Sequence, residues 1–114
     1  MPRLETFNVK IRTGAQGIDE SPAYSINGFP LGFDTSSGGV GPGETFEGLG
    51  QPQSFPHSLL LSGPTKGAWE IEGVEVSYRL AGQEPYQVTL GPVTLDARSD
   101  LNLWYERPPK LIDV

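Results

Sequence analysis

The chain has 114 residues, a length at which one domain with one hydrophobic core is the rule. It carries 8 Lys and Arg against 14 Asp and Glu, and the formal charge of -6 argues against binding to nucleic acid or to an anionic membrane. There is no cysteine, which excludes disulfides, thiolate metal ligands and thiol catalysis, and which fits a cytoplasmic location.

The first residues, MPRLETFNVK, include charged side chains and no apolar run, so a secretory signal is not expected there. No stretch approaches the ~20 apolar residues that a membrane-spanning helix needs. The 15 Gly and 11 Pro favour short strands joined by turns, because helix interiors tolerate neither residue. These features predict an acidic, soluble protein built from β-strands.

Alternation of apolar and polar residues predicts strands from the beginning of the chain. Residues 7–11 form a half-buried first strand, with every second residue apolar. Residues 24–26 precede Asn27-Gly28, the dipeptide most typical of a two-residue hairpin turn. Residues 29–33 then continue the alternation, so the second and third strands should form a hairpin.

The segment GGVGPGET, residues 38–45, fits the spacing of a phosphate-binding loop except that Glu44 stands where lysine is required. A glutamate would repel phosphate, and the glycines and proline that follow cannot begin a helix. The segment is therefore interpreted as part of the longest loop, from Asp34 to Thr45, and nucleotide binding is not expected. Whether this loop is a functional lid or a flexible connection is left open.

Two later strands are predicted to bend. In AWEIEGVEVSYRL, residues 68–80, the apolar residues occupy odd positions before Gly73 and even positions after it. One extra residue must be absorbed at the glycine, as in a β-bulge. The same change of phase occurs at Gly91-Pro92.

A short apolar run at 58–62 and an alternation at 101–105 complete the pattern. The chain is predicted to be an all-β, two-sheet antiparallel sandwich, jelly-roll-like, with seven to eight short strands and no significant helix. Residues 1–107 would form this domain. Residues 108–114 would form an extended tail, since Pro108-Pro109 cannot join a helix.

Motifs for catalysis are missing. His57 is the single histidine, and G-x-S-x-G does not occur, so an enzyme is not expected, nor is a cofactor or a metal site. Asp96, Asp100 and Asn102 have the oxygen atoms of calcium ligands, but the glycine and distal glutamate of a calcium loop are absent. Ordinary turn roles are favoured for these three residues, and calcium binding is left open.

The aromatic residues near the C-terminus suggest a contact surface. On the alternation of residues 101–105, Trp104 shares a face with polar neighbours, as tryptophans at protein interfaces or sugar sites do. The alternative is that it fills a second core. Three interpretations of the tail are left open: a disordered terminus, a segment that lies along its own sheet, and an apolar end that adds to the sheet edge of a neighbouring subunit. The predicted binding residues are Trp104, Tyr105, Leu111, Ile112 and Val114.

Two functions follow from these residues. The first is a non-catalytic module for protein–protein interaction or self-assembly, with a homo-oligomer or another protein as partner. The alternative is binding of a small, carbohydrate-type ligand, with Trp104 or Tyr24 stacking on the sugar and the 34–45 loop closing over it. An enzyme that uses His57 is the least favoured hypothesis.

Overall fold

A computed structural model describes residues 3–54 and 58–104 of the chain. Within these ranges it contains ten strands and no helix, so none of the described residues belongs to a helix that could cross a membrane. The strands are β1 (Leu4–Thr13), β2 (Ala23–Ile26), β3 (Phe29–Gly32), β4 (Thr35–Gly38), β5 (Thr45–Gly50), β6 (Leu59–Ser62), β7 (Ala68–Leu80), β8 (Tyr86–Leu90), β9 (Val93–Asp96) and β10 (Asp100–Asn102). The all-β prediction is confirmed, with more strands than the seven or eight expected.

The strands form two antiparallel sheets that pack on each other as a sandwich. The larger sheet has the order β4-β5-β1-β7-β8, and β9 pairs β7 beside β8. The smaller sheet has the order β10-β6-β2-β3. The predicted two-sheet antiparallel arrangement is therefore confirmed, and β3 and β10 lie at opposite edges of the smaller sheet.

An aromatic cluster joins the two sheets. Tyr24 on β2 packs edge-on against Phe7 on β1, with 4.8 Å between ring centroids. Phe33, in the connection from β3 to β4, contacts Tyr24 at 5.0 Å and Phe46 on β5 at 5.6 Å. Gly50 on β5 makes room for these rings, because a Cβ atom there would lie 2.4 Å from Cε1 of Phe7. The cluster closes the core on the side where the chain crosses between the sheets.

The predicted bulge is present in β7. Arg12 pairs with Gly73, whereas Thr13 pairs with Ile71, so Glu72 is the extra residue. Its side chain points out and accepts a hydrogen bond from Arg12 Nε at 3.0 Å, an exposed ion pair that adds little to stability. Residues on both sides of the bulge keep their apolar side chains buried, as the change of phase requires.

The second predicted change of phase, at Gly91-Pro92, separates β8 from β9. Residues 74–78 of β7 pair with β8, and residues 68–71 pair with β9. The bulge in β7 and the break after β8 therefore lie opposite each other.

The segment from Asp34 to Thr45 differs from its prediction as one long loop. Its first part is β4, which pairs with β5 from Thr35 opposite Leu49 to Gly38 opposite Phe46. Every residue of β4 is exposed, so this strand has no apolar alternation to reveal it. Backbone pairing to β5 alone defines it, and the loop shrinks to residues 39–44.

Candidate functional site

The edge strand β3 carries the most exposed apolar side chains of the described residues. Phe29 is 70% exposed and Leu31 is 42% exposed. Their partners on β2 are Ile26 and Tyr24, which are buried in the core. Directly paired residues share one face of a sheet, so Phe29 and Leu31 extend the core-forming face of the smaller sheet beyond the core. We refer to these two side chains as the β3 patch.

The position of Phe33 explains why the β3 patch stays uncovered. Phe33 enters the aromatic cluster and closes the core on this side. The chain then passes to the other sheet, where Asp34 donates its N–H to Leu49 O at 2.8 Å. The core is complete without Phe29 or Leu31, and no strand in the described part of the chain lies beyond β3.

The turn before β3 sets the direction of its backbone groups. Asn27 and Gly28 have φ angles of 51° and 87°, as the predicted two-residue turn requires. The two residues that flank such a turn exchange backbone hydrogen bonds. The backbone groups of Phe29 and Leu31 therefore bond to β2, while those of Pro30 and Gly32 point away from the sheet. Because proline has no N–H, this edge lacks one of its outward donors.

Trp104 is placed differently from its prediction on a polar face. It is partly buried, and its ring meets that of Tyr78 edge-on, 5.6 Å away. The strand has already ended: Asn102 accepts the Trp104 N–H on Oδ1 at 3.1 Å and donates from Nδ2 to Trp104 O at 3.3 Å. This local turn directs the indole back towards the core. The preceding carbonyl, of Leu103, accepts a hydrogen bond from the buried Tyr78 hydroxyl.

The other predicted binding residues lie outside the described residues. They are Tyr105, Leu111, Ile112 and Val114, and the predicted tail 108–114 lies outside as well. The same holds for His57, the histidine considered for catalysis. The structure therefore describes the chain as far as Trp104 and no later residue.

The glycine-rich loop is held by its own glutamate. Glu44 Oε1 accepts the Gly41 N–H at 2.9 Å, and the Gly43 N–H donates to Gly14 O at 3.1 Å. The Ile18 N–H donates to Val40 O at 3.0 Å, which ties the loop to the 14–18 connection. A strand follows the loop, where a phosphate loop would open a helix.

The loop and the two proposed stacking residues do not form one ligand site. Tyr24 is 1% exposed and belongs to the core. The loop lies beside Thr13, at the end of β1, because the Thr13 N–H donates to Glu44 O. Trp104 lies near Phe7 on the same strand, because it contacts Tyr78, which pairs with Phe7. Thr13 and Phe7 are separated by roughly 20 Å along β1 at ~3.3 Å per residue.

The residues considered for calcium lie at the end of β9 and within β10, on either side of the connecting turn. Asp96 Oδ1 accepts the Arg98 N–H at 2.8 Å and the Ser99 hydroxyl at 3.1 Å. Asp100 Oδ1 accepts the Gly63 N–H at 3.2 Å, and Asn102 bonds to Trp104. Across residues 3–54 and 58–104, no group of three or more His, Cys, Asp and Glu could hold a metal ion. Asp96 and Asn102 therefore make local hydrogen bonds of the kind found in turns, whereas Asp100 bonds to a residue remote in sequence.

A shallow groove of ≈ 590 Å³ lies on the outer face of the larger sheet. Its wall consists mainly of polar and charged side chains, and none of its described lining residues is aromatic. Sequence reasoning missed it, because these residues come from four strands. They include Asn8, Lys10, Thr35, Ser37, Glu47 and Glu75.

Sequence reasoning also missed the β3 patch, although one signal was available. A proline within a predicted strand indicates an edge strand, and Pro30 stands between Phe29 and Leu31. The fold and this edge define the class of the molecule as a β-sandwich domain with an uncovered apolar edge. No protein-family model, curated protein or solved structure matches the chain.

Proposed function

We propose that this β-sandwich is a non-catalytic module for protein–protein interaction or self-assembly, and that the β3 patch is its receptor surface. The exposure of Phe29 and Leu31 carries the proposal, since both continue a face that is otherwise core. Covering the two side chains would bury roughly 200 Å² and contribute roughly 5 kcal/mol at ~25 cal/mol per Å². That contribution suits a weak or multivalent contact better than a permanent complex.

In this proposal, the C-terminal residues form a second contact surface. Trp104, the last described residue, packs against Tyr78. Tyr105, Leu111, Ile112 and Val114 would supply the apolar contacts to a partner. The proposed location is the cytoplasm, which is supported by the lack of cysteine.

Solution association of the full chain tests the proposal. The mass from light scattering should rise between micromolar and millimolar concentration, and Phe29→Ser combined with Leu31→Ser should abolish the rise. The control is Ser37→Ala, on the exposed strand β4. If the double variant associates as the natural sequence does, the β3 patch is not the receptor surface.

A carbohydrate-type ligand is the second candidate, and the polar groove on the larger sheet supports it. Hydroxyl, amide and charged side chains there can exchange hydrogen bonds with sugar hydroxyls. Calorimetric titration with a panel of oligosaccharides tests this function, with Lys10→Ala and Glu47→Ala as groove variants. Binding that both variants retain, or a panel without heat of binding, would refute it.

A further inference from the structure

We infer that the polar groove on the outer face of the larger sheet binds a linear chain of amino sugars, whose ammonium groups lie against Glu47 and Glu75. The inference rests on the second candidate function and names the class of carbohydrate. It follows from the shape of the groove, from the lack of an aromatic ring among its described lining residues, and from the sign of its charge.

The groove runs across four strands, between two rows of side chains that point outwards. Its floor is backbone, because the side chains between the rows point to the opposite face of the sheet, as the buried Val9 does. Each row has one residue from each of β4, β5, β1 and β7, paired in register from strand to strand. The neutral wall is Thr35, Leu49, Asn8 and Ser77, and the charged wall is Ser37, Glu47, Lys10 and Glu75.

The dimensions of the groove suit a single linear chain. Four strands at a spacing of ~4.8 Å give a length of roughly 14 Å, and two residues along a strand separate the walls by roughly 7 Å. An extended peptide would find few partners there, because the N–H and C=O groups of the floor are already paired within the sheet. A sugar chain carries hydroxyl groups on its rings, which can bond to the side chains of the walls.

The lack of an aromatic ring among the described lining residues favours a charged sugar over a neutral one. A neutral sugar would gain affinity by stacking on an aromatic side chain, and the groove offers it none there. Affinity must then come from hydrogen bonds. Those with an ionised partner are roughly twice as strong as those between neutral groups.

The charged wall favours a positive ligand. Lys10 pairs with Glu47 on β5 and with Glu75 on β7, so the wall has two carboxylates and one ammonium. Both ion pairs formed by the described residues lie outside this wall, so neither carboxylate is engaged in one. The formal charge of -6 on the whole chain also attracts cations. The groove therefore favours a sugar with ammonium groups over an anionic one such as a uronate.

The neutral wall distinguishes an amino sugar from a simple polyamine. Asn8, Ser77 and Thr35 offer amide and hydroxyl groups that can both donate and accept hydrogen bonds. Leu49, between Thr35 and Asn8, offers an apolar contact to the C–H groups of a sugar ring. A polyamine has ammonium groups for the charged wall but no hydroxyl groups for the neutral one.

Calorimetric titration with matched oligosaccharides tests the inference. Glucosamine oligomers and their N-acetylated counterparts have the same chain and differ in charge, at mildly acidic pH where the sugar amines are protonated. The charged oligomer should bind roughly fivefold more tightly than the N-acetylated one, and sodium chloride should reduce this difference. Affinity should rise with the length of the oligomer until the oligomer spans roughly 14 Å, the width of four strands.

Three variants of the charged wall test the placement of the ligand. Glu47→Gln and Glu75→Gln each remove one charge at nearly constant shape and should each weaken binding of the glucosamine oligomer roughly two- to fivefold. Lys10→Gln should strengthen it by a similar factor, because it removes the single ammonium among the described lining residues. Glu84→Gln, in the connection from β7 to β8, makes the same change outside the groove and should bind as the natural chain does.

The outcomes separate this inference from the function on which it rests. Equal affinity for the charged and N-acetylated oligomers would refute the choice of amino sugars and leave carbohydrate binding in place. If spermine binds as tightly as the glucosamine oligomer, the hydroxyl groups are not recognised and the choice of a sugar is refuted. If Lys10→Gln weakens binding while both glutamate variants retain it, the sign of the ligand charge is wrong. If no oligosaccharide binds to the folded protein, the second candidate function fails as well.

Discussion

Trp69 donates its indole Nε1–H to the hydroxyl of Thr13 at 2.9 Å, and both residues are fully buried. Thr13 is the last residue of β1 and pairs with Ile71, beyond the bulge in β7. The hydrogen bond therefore ties the end of β1 to the bent part of β7 and satisfies two polar groups within the core.

Replacing Thr13 with valine should show how much this hydrogen bond contributes to the unfolding free energy. The side chain keeps its shape, but the indole N–H loses its acceptor, which costs about 1–3 kcal/mol of unfolding free energy. Chemical denaturation measures the loss. Thr89→Val, at an exposed position of β8, serves as control and should stay within about 0.5 kcal/mol. A stability of Thr13→Val equal to that of the control would show that the bond contributes nothing.

Gly50 should not tolerate even an alanine. A Cβ there would lie 2.4 Å from Phe7 Cε1 and 3.1 Å from Tyr24 Cζ, so the aromatic cluster would have to shift. We expect Gly50→Ala to lose about 1–3 kcal/mol through overpacking. Gly91→Ala is the matched control, because nothing lies within 4 Å of its Cβ position. Equal denaturation midpoints for the two variants would contradict the packing argument.

Replacing Glu44 with lysine completes the phosphate-loop spacing of residues 38–45 and should still give no nucleotide binding. The following segment is β5, so no helix N-terminus faces a phosphate. The variant should instead lose the hydrogen bond from Gly41, and hydrogen exchange of that N–H should accelerate by up to about tenfold. Glu47→Lys, an exposed position on β5, makes the same change of charge and should leave Gly41 protected. ATP binding by Glu44→Lys alone would reverse this interpretation.

The features that were correct from sequence depend on few neighbouring residues. The Asn27-Gly28 turn follows from two residues that tolerate positive φ, and the structure gives both of them positive φ. The bulge at Gly73 follows from the change of phase in the alternation. Without an extra residue there, the rest of the strand would turn its polar side chains into the core. Both signals are local, and tertiary contacts do not overrule them.

The features that were missed depend on contacts remote in sequence. β4 exists because β5 offers a backbone to pair with, and its own residues carry no pattern. Trp104 turns inwards because the strand ends at Asn102, three residues earlier than the alternation implied. Phe33 packs against the core while Phe29 stays exposed, and sequence cannot tell which of several similar apolar residues will do so.

Stability at alkaline pH should depend on Tyr24. Burial, with the negative charge of Asp34 as the smaller cause, raises the pKa of Tyr24 above its ordinary value of 10.0. In the unfolded chain the phenol ionises near 10.0, while the folded protein still holds the proton. The contribution of Tyr24 to the unfolding free energy is therefore full below pH 10.0 and is lost as the pH rises through the pKa that Tyr24 has in the folded protein.

Denaturation at pH values on both sides of 10.0 measures this loss. Tyr24→Phe should reduce the fall in unfolding free energy, and Asp34→Asn should reduce it by less, because it removes only the smaller cause. Tyr24→Phe with the same alkaline slope as the natural chain would assign the loss to other groups.

Pro30 should protect β3 against uncontrolled strand pairing. Pro30→Thr adds an outward N–H beside Gly32 and a β-branched side chain, which gives the edge a template for pairing. The unfolding free energy should change little, since the new N–H makes no bond within the chain, but self-association should increase. This association should persist with Leu111→Asp and Ile112→Asp, because backbone pairing does not need the C-terminal segment. Ser36→Thr, which adds a β-branched residue to β4 without adding an N–H, is the control. An unchanged mass for Pro30→Thr would show that proline is not what keeps this edge from pairing.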